Sequence, residues 1–293
     1  MGYIVGIDGG GTSCRLAIAD GTGRILGQAK SGSANIRTDL AGARANIVAA
    51  AEEAAAAAGL PVDAVRSATA VLGLAGGNVG DHAARLQTML PFGDSHVVSD
   101  ALIALQGALG SHDGAIAILG TGSIFAARRG EKVRMIGGWG FQIGDLGSGA
   151  RLGRQLLEEA LLAYDGVRAS SPLTDAVLQR FEGDPRLMVE AVRDAPPAFY
   201  GSFAPQIVGA LERGDEVAEA IFADALANAE RMLEAVAGNG DERICLLGGL
   251  AETYAERMSE RFRRRLHAPL GDALQGAVQM AVQIAAAGGK AAR

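Results

Sequence analysis

An α/β architecture of two related lobes with a cleft between them is predicted from three features of this 293-residue chain. A short apolar run ends in a glycine-rich turn and leads into two further strand-like runs. The same order returns from residue 115 onward. Between and beyond these openings the apolar spacing is helical, the alternation expected where strands are covered by helices.

Residues 3–8 form an apolar run closed by Asp8-Gly9-Gly10-Gly11-Thr12-Ser13. Residues 15–19, the turn Asp20-Gly21-Thr22-Gly23 and residues 24–29 read as two more strands, tightly joined. An alanine-rich helix is predicted over 39–58, with Thr38 or Asp39 as N-cap and Gly59, ahead of Pro61, as its stop. A buried strand at 68–74, a helix near 81–90, a short strand at 96–99 and a helix opening at Asp100 follow. The second opening is the run 115–119, closed by Gly120-Thr121-Gly122-Ser123, then a strand at 124–128, a turn at 129–132 and a strand at 133–136. Such a recurrence is what an old internal duplication leaves behind. Helices are predicted at 151–164, 173–180, 185–194, 202–213 and 216–237, a strand at 243–247, and a last helix at 274–287. The lobes so delimited are 1–111 with 274–293, and 112–273, with no Ser/Pro-rich linker between them.

Composition narrows the function. With 49% hydrophobic residues the chain has ample material for a core, which excludes a disordered protein. A net charge of −6 argues against nucleic acid, whose phosphates call for a basic face. The one basic cluster, Arg261 with Arg263, Arg264 and Arg265, reads as a solvated helix face. Cys14 and Cys245 are too few and too far apart for a disulfide framework, which fits a reducing cytosol. No basic flank of a signal peptide precedes the first strand, and Glu52, Glu53, Gln279 and Gln283 interrupt the longest apolar stretches. A cytoplasmic protein without membrane contact is expected.

The chemistry gathers at glycines. Successive N–H groups at Gly10 and Gly11 can form an anion nest, and the Thr12 and Ser13 hydroxyls add donors. Asp8 would repel a phosphate unless a cation lay between them, so it implies Mg²⁺ held directly or through water. The alternative is a glycine-rich hairpin with Asp8 serving the turn. Gly120, Thr121, Gly122 and Ser123 repeat this chemistry in the second lobe, so the pair could grip a polyphosphate from both sides. Gly248 and Gly249, between a strand and a helix, offer bare backbone to a flat group such as adenine, or a mere tight turn. Four scattered histidines, no GxSxG and no Cys–His pattern leave nucleophilic catalysis and zinc unsupported.

Gly6-Ile7-Asp8-Gly9-Gly10-Gly11-Thr12, Ser99-Asp100-Ala101, Gly120-Thr121-Gly122-Ser123 and Gly248-Gly249 together resemble the ATPase core of the actin, heat-shock chaperone and sugar kinase superfamily. The narrower resemblance is to the BadF/BadG/BcrA/BcrD-type ATPases, and within them to N-acetylglucosamine and bacterial glucosamine kinases. Its most specific piece is Gly137-Gly138-Trp139-Gly140 followed by Gly144-Asp145-Leu146-Gly147-Ser148, which is similar to the sugar-site segment of those kinases. The resemblance implies two ribonuclease-H-like (actin-like ATPase) lobes, each expected to hold a mixed five-stranded sheet.

It also implies an ATP- and Mg²⁺-dependent kinase acting on the 6-hydroxyl of N-acetylglucosamine or glucosamine. Asp100 resembles the general base, Asp8 the carboxylate that organises Mg²⁺, and Thr12 and Thr121 the phosphate ligands. Asn35, Gly138, Trp139 and Asp145 resemble the sugar contacts, with Ala204 a weak match for the adenine contact. Asp100 could equally cap the helix it opens, and Trp139 could anchor a core instead of stacking on a sugar. Two other functions compete: an ATPase activator of 2-hydroxyacyl-CoA dehydratases, which would need its cysteines at a shared iron–sulfur cluster, and a sugar sensor without catalysis. The expected partner is a small-molecule amino sugar, with a homodimer left open.

Overall fold

In Ile4–Gly9 (β1), alternate side chains enter different cores, because successive residues of a strand point to opposite faces. Val5 and Ile7 face one layer, joined by Leu16 and Ile18 of β2 (Cys14–Ala19). Ile4 and Ala17 face the other. The remaining elements of this half are β3 (Ile25–Ser31), α1 (Leu40–Ala57), α2 (Val62–Arg66), β4 (Thr69–Leu74), α3 (His82–Gln87), β5 (Asp94–Ser99) and α4 (Asp100–Leu109). The sheet order is β3-β2-β1-β4-β5, with β2 antiparallel to β1 and β3 while β1, β4 and β5 run parallel. Strands buried on both faces explain the unbroken apolar runs in β1 and β4. Asp39 caps α1 by accepting from Gly42 N–H, and Gly59 ends it in a left-handed conformation.

The second half repeats the opening with β6 (Gly114–Leu119), β7 (Ser123–Arg129) and β8 (Lys132–Gly137). Helices α5 (Gly149–Tyr164), α6 (Pro172–Arg180), α7 (Pro185–Val192), α8 (Pro197–Gly201), α9 (Ala204–Glu212) and α10 (Glu216–Ala237) follow. The chain then makes β9 (Arg243–Leu247), α11 (Ala251–Arg257) and α12 (Glu260–Arg263). Its sheet, β8-β7-β6-β9, has four strands among the described residues, so the expected fifth is missing. A single parallel bridge between Ile244 and Leu266 stands in that place. Pro269, three residues on, has no N–H with which to extend the ladder. Leu119, Phe125, Leu152, Leu156, Phe222 and Leu233 share one core. Asp215 joins two of its helices: the carboxylate accepts from Val217 and Ala218 N–H in α10 and from Leu173 N–H in α6.

A final helix, α13 (Ala273–Ala291), returns to the first sheet. Val278, Ala277 and Ala281 close the second face of β1 and β4 beside Ile103 of α4. Gly276 and Gly107 let α13 and α4 touch backbone to backbone, since a Cβ on either would strike a carbonyl of the other segment.

This computed structural model describes residues 2–76, 81–238 and 240–291, without the side chains of 288–291. The chain divides into two compact units, Met1–His112 with Pro269–Arg293, and Asp113–Ala268. The sequence pattern did not resolve α2 and α8, helices of five residues each, because periodicity needs a longer window.

Candidate functional site

In the first unit the candidate residues stand where β1 and β5 end, the side of a parallel sheet on which loops can converge on a ligand. The turn after β1 is held by its own backbone: Gly10 N–H donates to Ser13 O at 2.9 Å, and Gly10 O accepts from Ala34 N–H at 3.0 Å. Thr12 is exposed, and no atom lies within 4 Å of the space a Gly11 side chain would fill. The loop is open above its glycines.

Asp100 lies at the junction of β5 and α4. Its Oδ1 accepts from Ala101 N–H at 2.9 Å and from the Ser99 hydroxyl at 3.2 Å. Burial raises its pKa, the neighbouring Asp8 charge adds to the rise, and the two hydrogen bonds oppose it. The N-cap of α4 is Ser99, whose Oγ accepts from Ala101 N–H. Asp100 is therefore not the cap that its place in the sequence also allowed, and it keeps its Oδ2 outside these bonds.

Asn35 follows β3. Its Oδ1 closes a turn by accepting from Arg37 N–H at 3.1 Å, and its NH₂ makes no hydrogen bond among the described residues. Asp8 accepts at Oδ2 from Arg15, through Nη2 at 2.6 Å and Nε at 3.1 Å.

In the second unit the loop after β6 is pinned from two elements by three backbone hydrogen bonds. Gly149 N–H, opening α5, donates to Gly120 O at 2.8 Å, and Ala150 N–H donates to Thr121 O at 3.2 Å. Leu250 N–H, preceding α11, donates to Leu119 O at 3.0 Å. Gly248 makes that last approach possible: its φ is +95°, and a Cβ there would lie 2.5 Å from Leu119 O. Ser123 differs from expectation. Its hydroxyl is buried and donates to Leu146 O at 2.8 Å, so it is not presented to a ligand.

The glycine segment after β8 folds onto this loop. Gly138 N–H donates to Ser123 O at 3.0 Å. Asp145 is only 9% exposed and adopts φ +54°, a left-handed conformation uncommon outside glycine. Its Oδ1 accepts from Gly140 N–H at 3.3 Å, and its Oδ2 lies 3.0 Å from where a Gly122 side chain would start. The sugar-type segment and the second phosphate-type loop thus meet at Asp145. Trp139 is 69% exposed, which removes its alternative as a core anchor.

A cavity of about 690 Å³ begins at Gly120 and Thr121 of the loop. One wall is Gly249, Leu250 and Thr253; the opposite wall is one face of α9, carrying Ala204, Val208 and Glu212. Ala204 is thus at the cavity, as its weak match allowed. Val208, Glu212 and Thr253 were missed, although the spacing of four from Ala204 to Val208 to Glu212 puts those residues on one helical face.

Both cysteines lie inside strands, fully buried, and burial pushes the Cys14 thiol up to about 11. Neither presents a thiolate to a cluster shared with another subunit. No group of three metal-ligating side chains occurs among the described residues, and no described helix is long and apolar enough to cross a membrane.

The model of the BadF/BadG/BcrA/BcrD ATPase family matches residues 5–291. Glucosamine kinase GspK of Vibrio cholerae is 41% identical over 254 residues, 86% of each chain. The crystal structure of a candidate N-acetylglucosamine kinase from Chromobacterium violaceum superposes with a TM-score of 0.87 at 33% identity, covering 97% of this chain and 99% of that one. A ROK-family glucokinase from Streptomyces griseus, in complex with glucose and AMPPNP, shares the fold alone, with 19% identity and a TM-score of 0.56 over 97% of this chain and 99% of that one.

Proposed function

Because the chain belongs to the BadF/BadG/BcrA/BcrD ATPase family, we propose that it is an ATP-dependent kinase that phosphorylates the 6-hydroxyl of an amino sugar, glucosamine or N-acetylglucosamine. The observation that carries this reading is the likeness to the Vibrio glucosamine kinase across most of both chains. The geometry of each unit is consistent with the share of the reaction assigned to it.

Phosphoryl transfer to an alcohol asks a protein for positioning, charge neutralisation and a base beside the nucleophile. Asp100 is assigned as that base. It accepts the hydroxyl proton through the oxygen not bound by Ala101 and Ser99, and its raised pKa makes it a stronger acceptor than an ordinary aspartate. Asn35, through its NH₂, and Asp145 and Trp139 of the second unit are the sugar contacts, with Gly138 shaping the turn that carries them. Thr12 and Thr121 offer hydroxyls to phosphate oxygens beside Gly10, Gly11, Ser13, Gly120 and Gly122, where backbone N–H groups are the natural partners. Adenosine fits the cavity between α9 and Gly249, whose lining is mostly apolar and small.

Magnesium fits as an ion brought by the triphosphate. Asp8 has Oδ2 held by Arg15 and makes no other side-chain hydrogen bond among the described residues, so Oδ1 can accept from a metal-bound water. The ion would neutralise charge on the phosphates. A cytoplasmic location accords with this substrate set.

A coupled ADP-release assay across glucose, glucosamine, N-acetylglucosamine and N-acetylmannosamine tests the reading. ADP release that depends on glucosamine or N-acetylglucosamine is expected. Release indifferent to every sugar, or fastest with glucose, would overturn it.

A further inference from the structure

Arg15 sits on β2 directly across from Asp8 on β1. Its guanidinium makes two separate engagements. Nη2 and Nε donate to Asp8 Oδ2 at 2.6 and 3.1 Å, while Nη1 donates to Asp272 Oδ2 at 2.7 Å. Asp272 precedes α13 and already has a task there. Its Oδ1 accepts from Gln275 N–H at 2.9 Å, and its own N–H donates to Gln275 Oε1 at 3.0 Å, a reciprocal cap on the helix start. The two oxygens of Asp272 therefore serve different partners, one the helix and one Arg15.

The chain Asp272–Arg15–Asp8 runs from the start of α13 to the end of β1, with 257 residues of sequence separating Arg15 from Asp272. The side chains are 49%, 39% and 22% exposed, so the ion pairs contribute little stability by themselves. A planar guanidinium fixed at two points contributes orientation, which a flexible ammonium would not. Here it occupies one oxygen of Asp8 and leaves the other.

We infer that Arg15 and Asp272 are positioning residues, which fix the Asp8 carboxylate so that Oδ1 alone is left for the cation that accompanies the nucleotide. This rests on the kinase reading for the role of Asp8. Neither residue need touch the substrate. Arg15 acts through Asp8, and Asp272 acts through Arg15.

The test is calorimetric titration with ADP, with and without Mg²⁺, on the full-length chain and on Arg15→Gln, Arg15→Lys and Asp272→Asn, each checked by thermal melting. Asp272→Asn is the informative variant. It retains an oxygen for Gln275 N–H but offers Arg15 an NH₂ group in place of an acceptor. Removing a partner of a metal-organising carboxylate is expected to weaken Mg²⁺-ADP binding by about tenfold in Arg15→Gln, with metal-free ADP affinity within about twofold of the parent. Asp272→Asn should lower Mg²⁺-ADP affinity in the same selective way, by about threefold to fivefold, the range of a half-exposed ion pair. Arg15→Lys should fall between the parent and Arg15→Gln.

If Arg15→Gln weakens ADP equally with and without Mg²⁺, Arg15 is a direct phosphate ligand and the inference fails. It fails as well if Asp272→Asn changes melting but not the Mg²⁺-dependent part of affinity, since Asp272 would then be only a helix cap. Should Arg15→Gln not fold, Arg15→Lys and Asp272→Asn carry the same comparison. Nucleotide titration involves no sugar, so failure of the wild-type chain to phosphorylate amino sugars would overturn the kinase reading without deciding this one.

Discussion

Asp100 shows how a single residue combines strain on stability with fitness for chemistry. Burial and the Asp8 charge both favour its protonated form, so its native pKa lies above that of the unfolded chain. The sign of the linkage follows. The stability this carboxyl contributes is complete below its unfolded pKa and is lost as pH rises through the native one. Asp100→Asn should therefore melt at or above the wild-type temperature at neutral pH, with the gap closing as the pH falls toward the carboxylate range. Melting curves across that range check this. A variant less stable at neutral pH would mean that the Ala101 and Ser99 hydrogen bonds outweigh burial. The position of Asp100 at a strand end was legible from Ser99-Asp100-Ala101, because a short apolar run stops there. The capping role was not, since two adjacent side chains compete for the same N–H and only geometry decides between them. Ser123 was misread for a related reason: its acceptor, Leu146 O, lies 23 residues away.

Among elements, the strands and long helices were readable from the apolar pattern, and α10 was expected over the very residues it occupies. What escaped depends on contacts distant in sequence. The fifth strand expected in the second sheet does not occur among the described residues, and its absence could not be foreseen because nothing local distinguishes a strand from a segment that makes one bridge at Leu266. Helix α9 was anticipated as a helix, but its cavity face was not, because the opposite wall is supplied by Gly249 and Thr253 some forty residues later. That face makes its own prediction. Val208→Trp places a large ring in the cavity while leaving the first unit untouched. It should raise the KM for ATP by on the order of tenfold or more, the scale at which a pocket rejects extra volume. The KM for sugar and the melting temperature should hardly move. Steady-state kinetics with each substrate varied in turn decides, and equal effects on both KM values would place the nucleotide elsewhere.

At the scale of the whole molecule, the repeated strand–turn–strand plan was legible because glycine-hydroxyl turns after apolar runs are dense local signals. Both halves do open with β-β-β meanders, β1–β3 and β6–β8. The return of α13 to the first sheet was also expected, from the repeated three-strand opening together with the family resemblance. The four strands of the second sheet among the described residues and the Arg15 link to α13 were not readable, since each depends on residues that meet only after folding. Membership of the ATPase family and the likeness to a glucosamine kinase support one function for the chain, for which the buried Asp100 of the first unit is the proposed base.

Single-turnover phosphorylation of glucosamine, with the product identified by ³¹P NMR, tests that claim most directly when wild type and Asp100→Asn are run side by side. The wild-type chain should yield the 6-phosphomonoester with one ADP per sugar phosphate. Asp100→Asn should bind glucosamine and ATP with near-normal affinity yet transfer phosphate slower by about two to four orders of magnitude, the range for losing a general base. A phosphate on another hydroxyl, or a variant that transfers at close to the wild-type rate, would contradict the account.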